Sequence, residues 1–251
     1  MMRRIFRWVF RIVLGILVGL ILYEGYIFIR VYWLRGHDPS STSLIDTRAS
    51  EARAKGQQPR REQVWVPLDK ISANLQRAVL AGEDTNFTTH RGFDYEAIQK
   101  AFEQAQRESA REAKREGEDD DWLPNLPEFK RGGSTISQQL AKNLYLSSQR
   151  SFIRKGQEAV VTIMLDRLLT KRRILEIYLN VIEWGDGVYG AEAAAQKYFR
   201  KPASSLSANE AAYLSAMIPN PRTVFNPQVN PRRVARRQRI ILRGMPYVKL
   251  P

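Results

Sequence analysis

An apolar run near the N-terminus most constrains how this chain can fold. Residues 12–29 contain a single charged side chain, Glu24, and tryptophans flank the run at Trp8 and Trp33. A helix that crosses a bilayer needs about 20 apolar residues, which residues 9–31 supply. The sequence therefore predicts a transmembrane helix over residues 9–31, and a buried core helix is the alternative.

The charges beside this run predict its orientation. Several arginines precede the run, whereas only Arg30 and Arg35 follow it closely. Cytoplasmic flanks of membrane helices are enriched in Lys and Arg. We expect residues 1–8 to form a cytoplasmic tail and the chain after about residue 35 to lie outside. No Ala-x-Ala site follows, which disfavours a cleaved signal peptide and favours a single-pass protein of the plasma (inner) membrane.

Length and composition set the broad class of the remaining chain. The 251 residues allow one sizeable domain beside a membrane anchor. Forty Lys and Arg against 26 Asp and Glu give a net charge of +14. This charge favours anionic partners such as phospholipid head groups, diphosphates or nucleic acid. The absence of cysteine excludes disulfides, zinc–thiolate sites and thiol nucleophiles.

Polarity divides the chain after the anchor. Residues 32–63 are polar and predict an exposed stalk with one helical turn. Residues 64–228 carry apolar side chains at helical spacing, without repeats or runs of alternating strands, so the domain is predicted to be mainly α. Residues 229–251 form a basic C-terminal segment. A helix lying on anionic lipid and a solvated terminal helix both fit its composition.

Apolar spacing predicts two helices within the domain. A stripe over residues 71–79 predicts a helix that is capped by Asp69 and ends near Gly82. Glu83 should therefore emerge at a helix terminus. A second helix over residues 157–170 is expected to bury one face, formed by Val160, Ile163, Met164 and Leu168.

Two capping boxes and one loop are also predicted. Thr135 with Gln138, and Ser207 with Glu210, have the spacing at which a hydroxyl and a side chain three residues later cap a helix reciprocally. The acidic run over residues 116–121 is followed by prolines and predicts a long loop outside the core.

Four polar blocks follow one another in a fixed order. They are residues 83–90, 132–140, 154–158 and 171–180. Together, over about residues 64–228, they resemble the peptidoglycan glycosyltransferases (glycosyltransferase family 51). This resemblance implies a lysozyme-like helical domain whose cleft lies near the membrane. The end of the chain at Pro251 and the lack of a Ser-x-x-Lys motif indicate a monofunctional member without transpeptidase chemistry.

The first block supplies the candidate base. In the family, the Glu of Glu-Asp-x-x-Phe-x-x-His-x-Gly is the catalytic base, and Glu83, Asp84, Phe87 and His90 match this motif. The apolar helix before Glu83 predicts poor solvation, which raises a carboxyl pKa toward the operating pH. The other three residues are interpreted as support for the motif, and a metal role for His90 is disfavoured because no second ligand lies nearby. A solvated helix-end Glu is the alternative.

The later blocks supply candidate substrate contacts. The resemblance places Ser134 and Gln138 near sugar or phosphate. Arg forks and Lys ammonium groups bind diphosphates well, and several cations fall within or beside these blocks. A solvated basic face is the alternative for each of them. The expected phosphate-binding set is Lys142, Arg150, Arg154 and Lys155.

Glu158 is the second carboxylate candidate. Its block resembles Arg-Lys-x-x-Glu in the family, which implies that Glu158 orients the donor or assists the leaving diphosphate, with a divalent cation (Mg or Mn) as an option and no obligatory cofactor. The alternative is a Glu that a helix N-terminus stabilises. Glu176 and Asn180 fall one helical turn apart and are expected to tie neighbouring elements together.

The implied activity is polymerisation of peptidoglycan glycan strands. The growing lipid-linked chain would pass to the 4-hydroxyl of lipid II, with inversion and release of undecaprenyl diphosphate. The expected partners are lipid II, the nascent strand, membrane lipids and a cell-wall synthesis complex, with no nucleic acid. A lytic lysozyme-type hydrolase and a non-catalytic membrane-anchored scaffold are the rival interpretations. Net charge alone also fits a nucleic-acid-binding module, but no such motif occurs.

Overall fold

Helices dominate the structure, a computed structural model that describes residues 2–116, 134–146 and 151–251. The predicted mainly α class is confirmed. Arg150 and most of the predicted acidic loop lie outside the described residues. The helices are α1 (Met2–Trp33), α2 (Ser43–Ala54), α3 (Ala73–Glu83), α4 (Tyr95–Glu116), α5 (Ile136–Tyr145), α6 (Phe152–Leu168), α7 (Lys171–Val181), α8 (Ala191–Phe199), α9 (Ala208–Met217) and α10 (Pro231–Gly244). The strands are β1 (Glu62–Gln63), β2 (Glu183–Gly185) and β3 (Val188–Tyr189).

Helix α1 has the length and composition of a membrane span. Within the described residues, it is the one helix long and apolar enough to cross a bilayer, and nearly all of its apolar side chains are exposed. Its C-terminal end behaves differently, because Ile27, Val31 and Leu34 are buried against the domain. The Arg30 guanidinium lies 5.0 Å from the ring centroid of Tyr145 on α5. The C-terminal end of α1 therefore packs against the domain.

The segment after α1 contains more structure than the sequence predicted. Helix α2 runs over Ser43–Ala54 instead of a single turn. Thr42 caps it, since its hydroxyl accepts a hydrogen bond from the Ile45 amide at 3.2 Å. Ile45 is buried, and Ser43 donates to the Leu146 carbonyl at 2.8 Å. These contacts hold α2 against α5, which a composition-based prediction of a stalk could not detect.

Helix α3 delivers Glu83 to the domain surface. Ser72, not the predicted Asp69, caps this helix by accepting a hydrogen bond from the Leu75 amide at 3.1 Å. Asp69 lies in a preceding 3₁₀ turn and forms an ion pair with Arg172. Near the other end, a Cβ on Gly82 would lie 2.8 Å from the Ser215 hydroxyl of α9. Only glycine allows α3 and α9 to approach this closely just before Glu83.

The predicted buried face of α6 is only half confirmed. Met164 and Leu168 are partly buried and pack against the core, whereas Val160 and Ile163 are 38% and 49% exposed. The residues that this helix buries are Glu158, Val161, Thr162 and Leu165. Both faces of this helix carry apolar residues, and α6 contacts α1 as well as α5 and α7. Periodicity alone could not decide which face enters the core.

A small sheet closes the domain beside α2. Its strand order is β1-β3-β2, with β1 parallel and β2 antiparallel to β3. Gly187 connects β2 and β3 at a φ of 72°, and a Cβ there would lie 2.6 Å from the Cβ of Arg60. The glycine therefore brings the chain that precedes β1 against the end of the hairpin.

Candidate active site

Glu83 is the last residue of α3 and lies almost completely buried. Its side chain is 8% exposed. Arg237 of α10 donates to Oε1 at 2.6 Å, and Gln139 of α5 donates to Oε2 at 2.9 Å. Desolvation by burial raises the pKa of Glu83, while the charges of Arg237 and Lys142 and the Gln139 hydrogen bond oppose this increase. The carboxyl group is thus held in place by two donors, and burial keeps its pKa above that of a free glutamate.

Gln139, which was not among the predicted site residues, contacts this carboxyl group. The Tyr178 hydroxyl donates to Gln139 Oε1 at 2.8 Å, which turns the amide nitrogen toward Glu83. Burial raises the pKa of Tyr178 well above its ordinary value, so the hydroxyl stays protonated. Gln138 is buried and its Oε1 accepts from the Thr135 amide at 2.9 Å, which completes the predicted capping box of α5.

Asp84 and His90 fix the loop that follows Glu83. His90 Nε2 donates to the Asp84 carboxylate at 2.9 Å. Asp84 Oδ2 also accepts from the Ile136 amide at 2.9 Å, which joins this loop to the start of α5. Phe87 is fully buried, and its ring packs edge-on to His90. These residues position the loop, and none of these contacts leads to Glu83 directly.

Glu158 lies in a cluster of cations on α6. It is 3% exposed, Arg154 Nη1 contacts Oε2 at 2.9 Å, and the Lys155 ammonium contacts Oε1. Lys142 interacts electrostatically with both Glu158 and Glu83. Desolvation lowers the pKa of Lys142, although part of the residue faces solvent.

Asn180 and Ser134 lie in different surroundings. Asn180 is buried, donates to the Val66 carbonyl at 2.9 Å and accepts from the Val66 amide at 3.0 Å. It therefore ties α7 to the chain that enters the domain. Ser134 is exposed and lines a cavity of about 180 Å³ together with Glu83 and Asp84.

Two cavities lie beside the contact between Glu83 and Gln139. Glu83 itself lines the smaller cavity, whereas its partner Gln139 lines a larger cleft of about 430 Å³. Lys142 and Arg154 form part of the wall of this cleft. A group bound in the cleft would therefore lie beside both cations and beside Gln139, the partner of Glu83.

Sequence reasoning missed Arg237, although a signal for it existed. The segment around α10 was interpreted as a basic helix that lies on anionic lipid or is solvated, without a role for any one of its arginines. Val234 and Ile241 are buried, and Arg237 lies three residues after the first and four before the second. This spacing puts Arg237 on the inward face of α10, unlike the exposed Arg236. A helical projection of the segment would have separated them.

The donor set around Glu158 does not suit a metal ion. Both of its oxygens already accept from cations, Arg154 and Lys155. Among the described residues, no three His, Cys, Asp or Glu side chains converge as a metal site would need. These residues do not fit a protein-held Mg or Mn ion.

Comparison with known proteins identifies the family. The profile of the family described as Transglycosylase matches residues 50–117 and 122–246. A "Biosynthetic peptidoglycan transglycosylase" of Thiobacillus denitrificans is 45% identical over 250 residues, which cover 100% of both chains. Proteins of the same name from Azoarcus sp. and Chromobacterium violaceum are each 44% identical, over 251 residues (100% of both chains) and 247 residues (98% of this chain and 99% of the relative). The chain therefore belongs to the transglycosylase family.

Proposed function

We propose that the protein is a membrane-anchored peptidoglycan glycosyltransferase that elongates glycan strands from lipid II. The observation that carries this proposal is the pairing of a buried, raised-pKa Glu83 with a cleft whose wall contains Lys142 and Arg154. The name of the relatives, which share the full length of the chain, supports it.

The proposed reaction is a single displacement at a sugar carbon. Glu83 accepts the proton of the acceptor 4-hydroxyl, and that oxygen forms a bond to the anomeric carbon of the growing chain. The bond from this carbon to the diphosphate oxygen breaks, and the electron pair leaves with undecaprenyl diphosphate. Base and leaving group lie on opposite faces of the sugar, so the configuration inverts.

The two cavities suit the two substrates of this reaction. The smaller one, beside Glu83 and Ser134, would receive the acceptor sugar. The larger cleft would receive the donor, with its diphosphate beside Lys142 and Arg154. A diphosphate is a good leaving group, so the protein needs cations to hold the departing charge more than an acid to protonate it. Glu158 would keep Arg154 and Lys155 in position for this task.

The cations distinguish this proposal from a lytic hydrolase. A hydrolase of the lysozyme type would also need a buried carboxyl group such as Glu83. It has no chemical use for Lys142 and Arg154 at one end of the cleft, because its substrate carries no diphosphate. The same argument favours an enzyme over a scaffold.

For the location, we propose a single-pass protein of the plasma membrane. Helix α1 supports an anchor by its length and exposed apolar surface. The N-terminal arginines favour a cytoplasmic tail and an external domain, where lipid II and the nascent strand would be met. Membrane lipids and a cell-wall synthesis complex remain the proposed partners.

The test is a polymerisation assay with the full-length protein in detergent. Labelled lipid II should yield strands that lengthen on a gel, whereas a hydrolase would shorten preformed strands. Glu83→Gln keeps the side-chain shape and removes the base, so product should fall below detection while circular dichroism stays unchanged. Glu96→Gln on the exposed start of α4 is the matched control and should behave as the unmodified protein. Near-normal turnover by folded Glu83→Gln would contradict the assignment.

A further inference from the structure

A third cavity adjoins the cleft. It measures about 430 Å³, and we call it the outer cavity. It shares Arg48, Glu51 and Arg222 with the cleft that Gln139 and Lys142 line. The two spaces adjoin along these side chains, and together we call them the trough. The outer cavity alone adds the side chains of Lys55, Arg60 and Tyr189.

The shared arginines are fixed by carboxylates. Arg48 Nε lies 3.1 Å from Glu183 and its Nη1 lies 2.9 Å from Glu51, while Arg222 Nη2 lies 3.0 Å from Asp186. A guanidinium group has five N–H donors, and these contacts use only part of them. Arg48 and Arg222 therefore present oriented donors to a ligand, at little cost in side-chain ordering.

The other two cations of the outer cavity are differently placed. Lys55 and Arg60 are exposed, and neither forms an ion pair within the part of the chain that the structure describes. The wall of the outer cavity contains four cationic side chains against two acidic ones, Glu51 and Asp186. The surplus positive charge suits a ligand that carries carboxylates.

Glu183 adds a buried acceptor at the junction of the two spaces. Its side chain is 6% exposed, and it lines the cleft. Its Oε1 accepts no hydrogen bond from the described residues, and the nearest ion-pair contact is Arg222 Nε at 3.9 Å. An unsatisfied buried acceptor is unfavourable, so a ligand that donates an amide N–H or a hydroxyl group here would be stabilised.

We infer that the outer cavity binds the carboxylate-bearing peptide substituent of the glycan strand that occupies the cleft. This inference rests on the proposed function, which places the reacting sugar carbon near Glu83 and directs the rest of the strand along the trough. A linear peptide supplies a terminal carboxylate for Lys55 and Arg60 and amide N–H groups for Glu183. The buried Tyr189 hydroxyl, whose pKa burial raises to about 12, offers a further donor.

A binding experiment without turnover tests this inference. The probes are an N-acetylmuramoyl peptide with free carboxylates and the same compound with its carboxylates amidated, titrated into the full-length protein in detergent. The protein should bind the free-carboxylate probe about tenfold more tightly, a difference of about 1.4 kcal/mol. The double variant Lys55→Gln/Arg60→Gln should lose this preference. The control Arg53→Gln/Lys249→Gln removes the same charges from exposed positions that line neither cavity, and it should keep the preference.

Three results would overturn the inference. The first is equal affinity of the unmodified protein for both probes. The second is loss of the preference in the control variant as well, and the third is an equal loss of affinity for both probes in Lys55→Gln/Arg60→Gln. A kinetic arm separates it from the proposed function. With lipid II that carries free carboxylates, Lys55→Gln/Arg60→Gln should raise KM about tenfold at unchanged kcat, and with amidated lipid II it should have no effect. If the protein polymerises both forms of lipid II with the same KM, only the outer-cavity inference is contradicted. Probe selectivity in a protein that cannot polymerise lipid II contradicts only the proposed function.

Discussion

Glu83 experiences opposing influences from the residues around it. Burial favours its neutral form, whereas Arg237 from α10 and Lys142 from α5 favour the carboxylate. A general base works only when it is ionised. The balance between burial and these two positive charges therefore sets the pH at which the proposed base Glu83 would become active. Arg237 is therefore a positioning residue with an electrostatic role, and its distance of 2.6 Å to Oε1 makes it the strongest single partner.

Replacing Arg237 by Gln should shift the acidic limb of the pH–rate profile. Loss of the positive charge raises the pKa of Glu83 further, so a higher pH is needed to ionise the base. Turnover should fall more at pH 6 than at pH 9. The exposed neighbour Arg236 provides the control, since Arg236→Gln should leave the profile in place. A loss that is uniform across pH would indicate a purely structural role.

Lys142→Ala should weaken handling of the lipid-linked substrate. A charge-assisted contact to a phosphate oxygen is worth about 1.5–3 kcal/mol, which corresponds to a loss of roughly tenfold to a hundredfold. Binding of a glycan without diphosphate should hardly change, and a comparison of the two affinities checks this. Lys142→Arg is not expected to restore activity, because a planar fork replaces a compact ammonium group. Equal losses for both ligands would contradict the phosphate role.

At the scale of elements, helix α5 connects the loop after Glu83 to the cleft. Its cap at Thr135 accepts from the Gln138 amide and donates to the Gly92 carbonyl at 2.6 Å. The same helix carries Gln139 and Lys142 toward Glu83. A small displacement of α5 would therefore move two functional side chains at once.

Removing this cap should reduce both stability and activity. Thr135→Ala should cost about 1 kcal/mol, or roughly 2–4 °C in Tm, and lower turnover roughly tenfold because α5 loses its register. Ser207→Ala removes the comparable capping box of α9, away from the cavities. It should cost a similar amount of stability and leave turnover unchanged. Thermal melts and initial rates on both variants check the pair, and unaltered turnover in Thr135→Ala would be the contrary result.

Local signals could be predicted from the sequence, and contacts between elements could not. The two capping boxes depend on residues three positions apart, and both are present. The pair of Glu83 with Arg237 joins residues 154 positions apart, so no periodic pattern reveals it. The contact between Gln139 and Glu83 was missed for the same reason. The side-chain amide of Gln138 is occupied in the helix cap, which leaves that of Gln139 to face the cleft. Glu183 with its two arginines was likewise invisible, since α2, β2 and the chain after α9 meet only in the fold.

At the scale of the whole molecule, the charges around α1 predict a topology. A reporter that works only outside the cytoplasm should be active when fused after Pro251 and inactive when fused before Met2. The physical reason is the cost of moving the N-terminal arginines across the bilayer. Measuring both fusions in the same cells controls for expression. The reverse pattern would contradict the external placement of the domain and with it the lipid II substrate.

The junction between anchor and domain has a mechanical consequence. Arg173 of α7 donates to the carbonyls of Leu34 and His37 at 2.8 and 2.7 Å, and Leu34 itself is buried. With α1 in the bilayer, as proposed, these contacts would hold the cleft at a fixed height above the membrane. An enzyme held in this way would take each lipid-linked sugar from the same depth in the membrane and would release the growing polymer in one fixed direction.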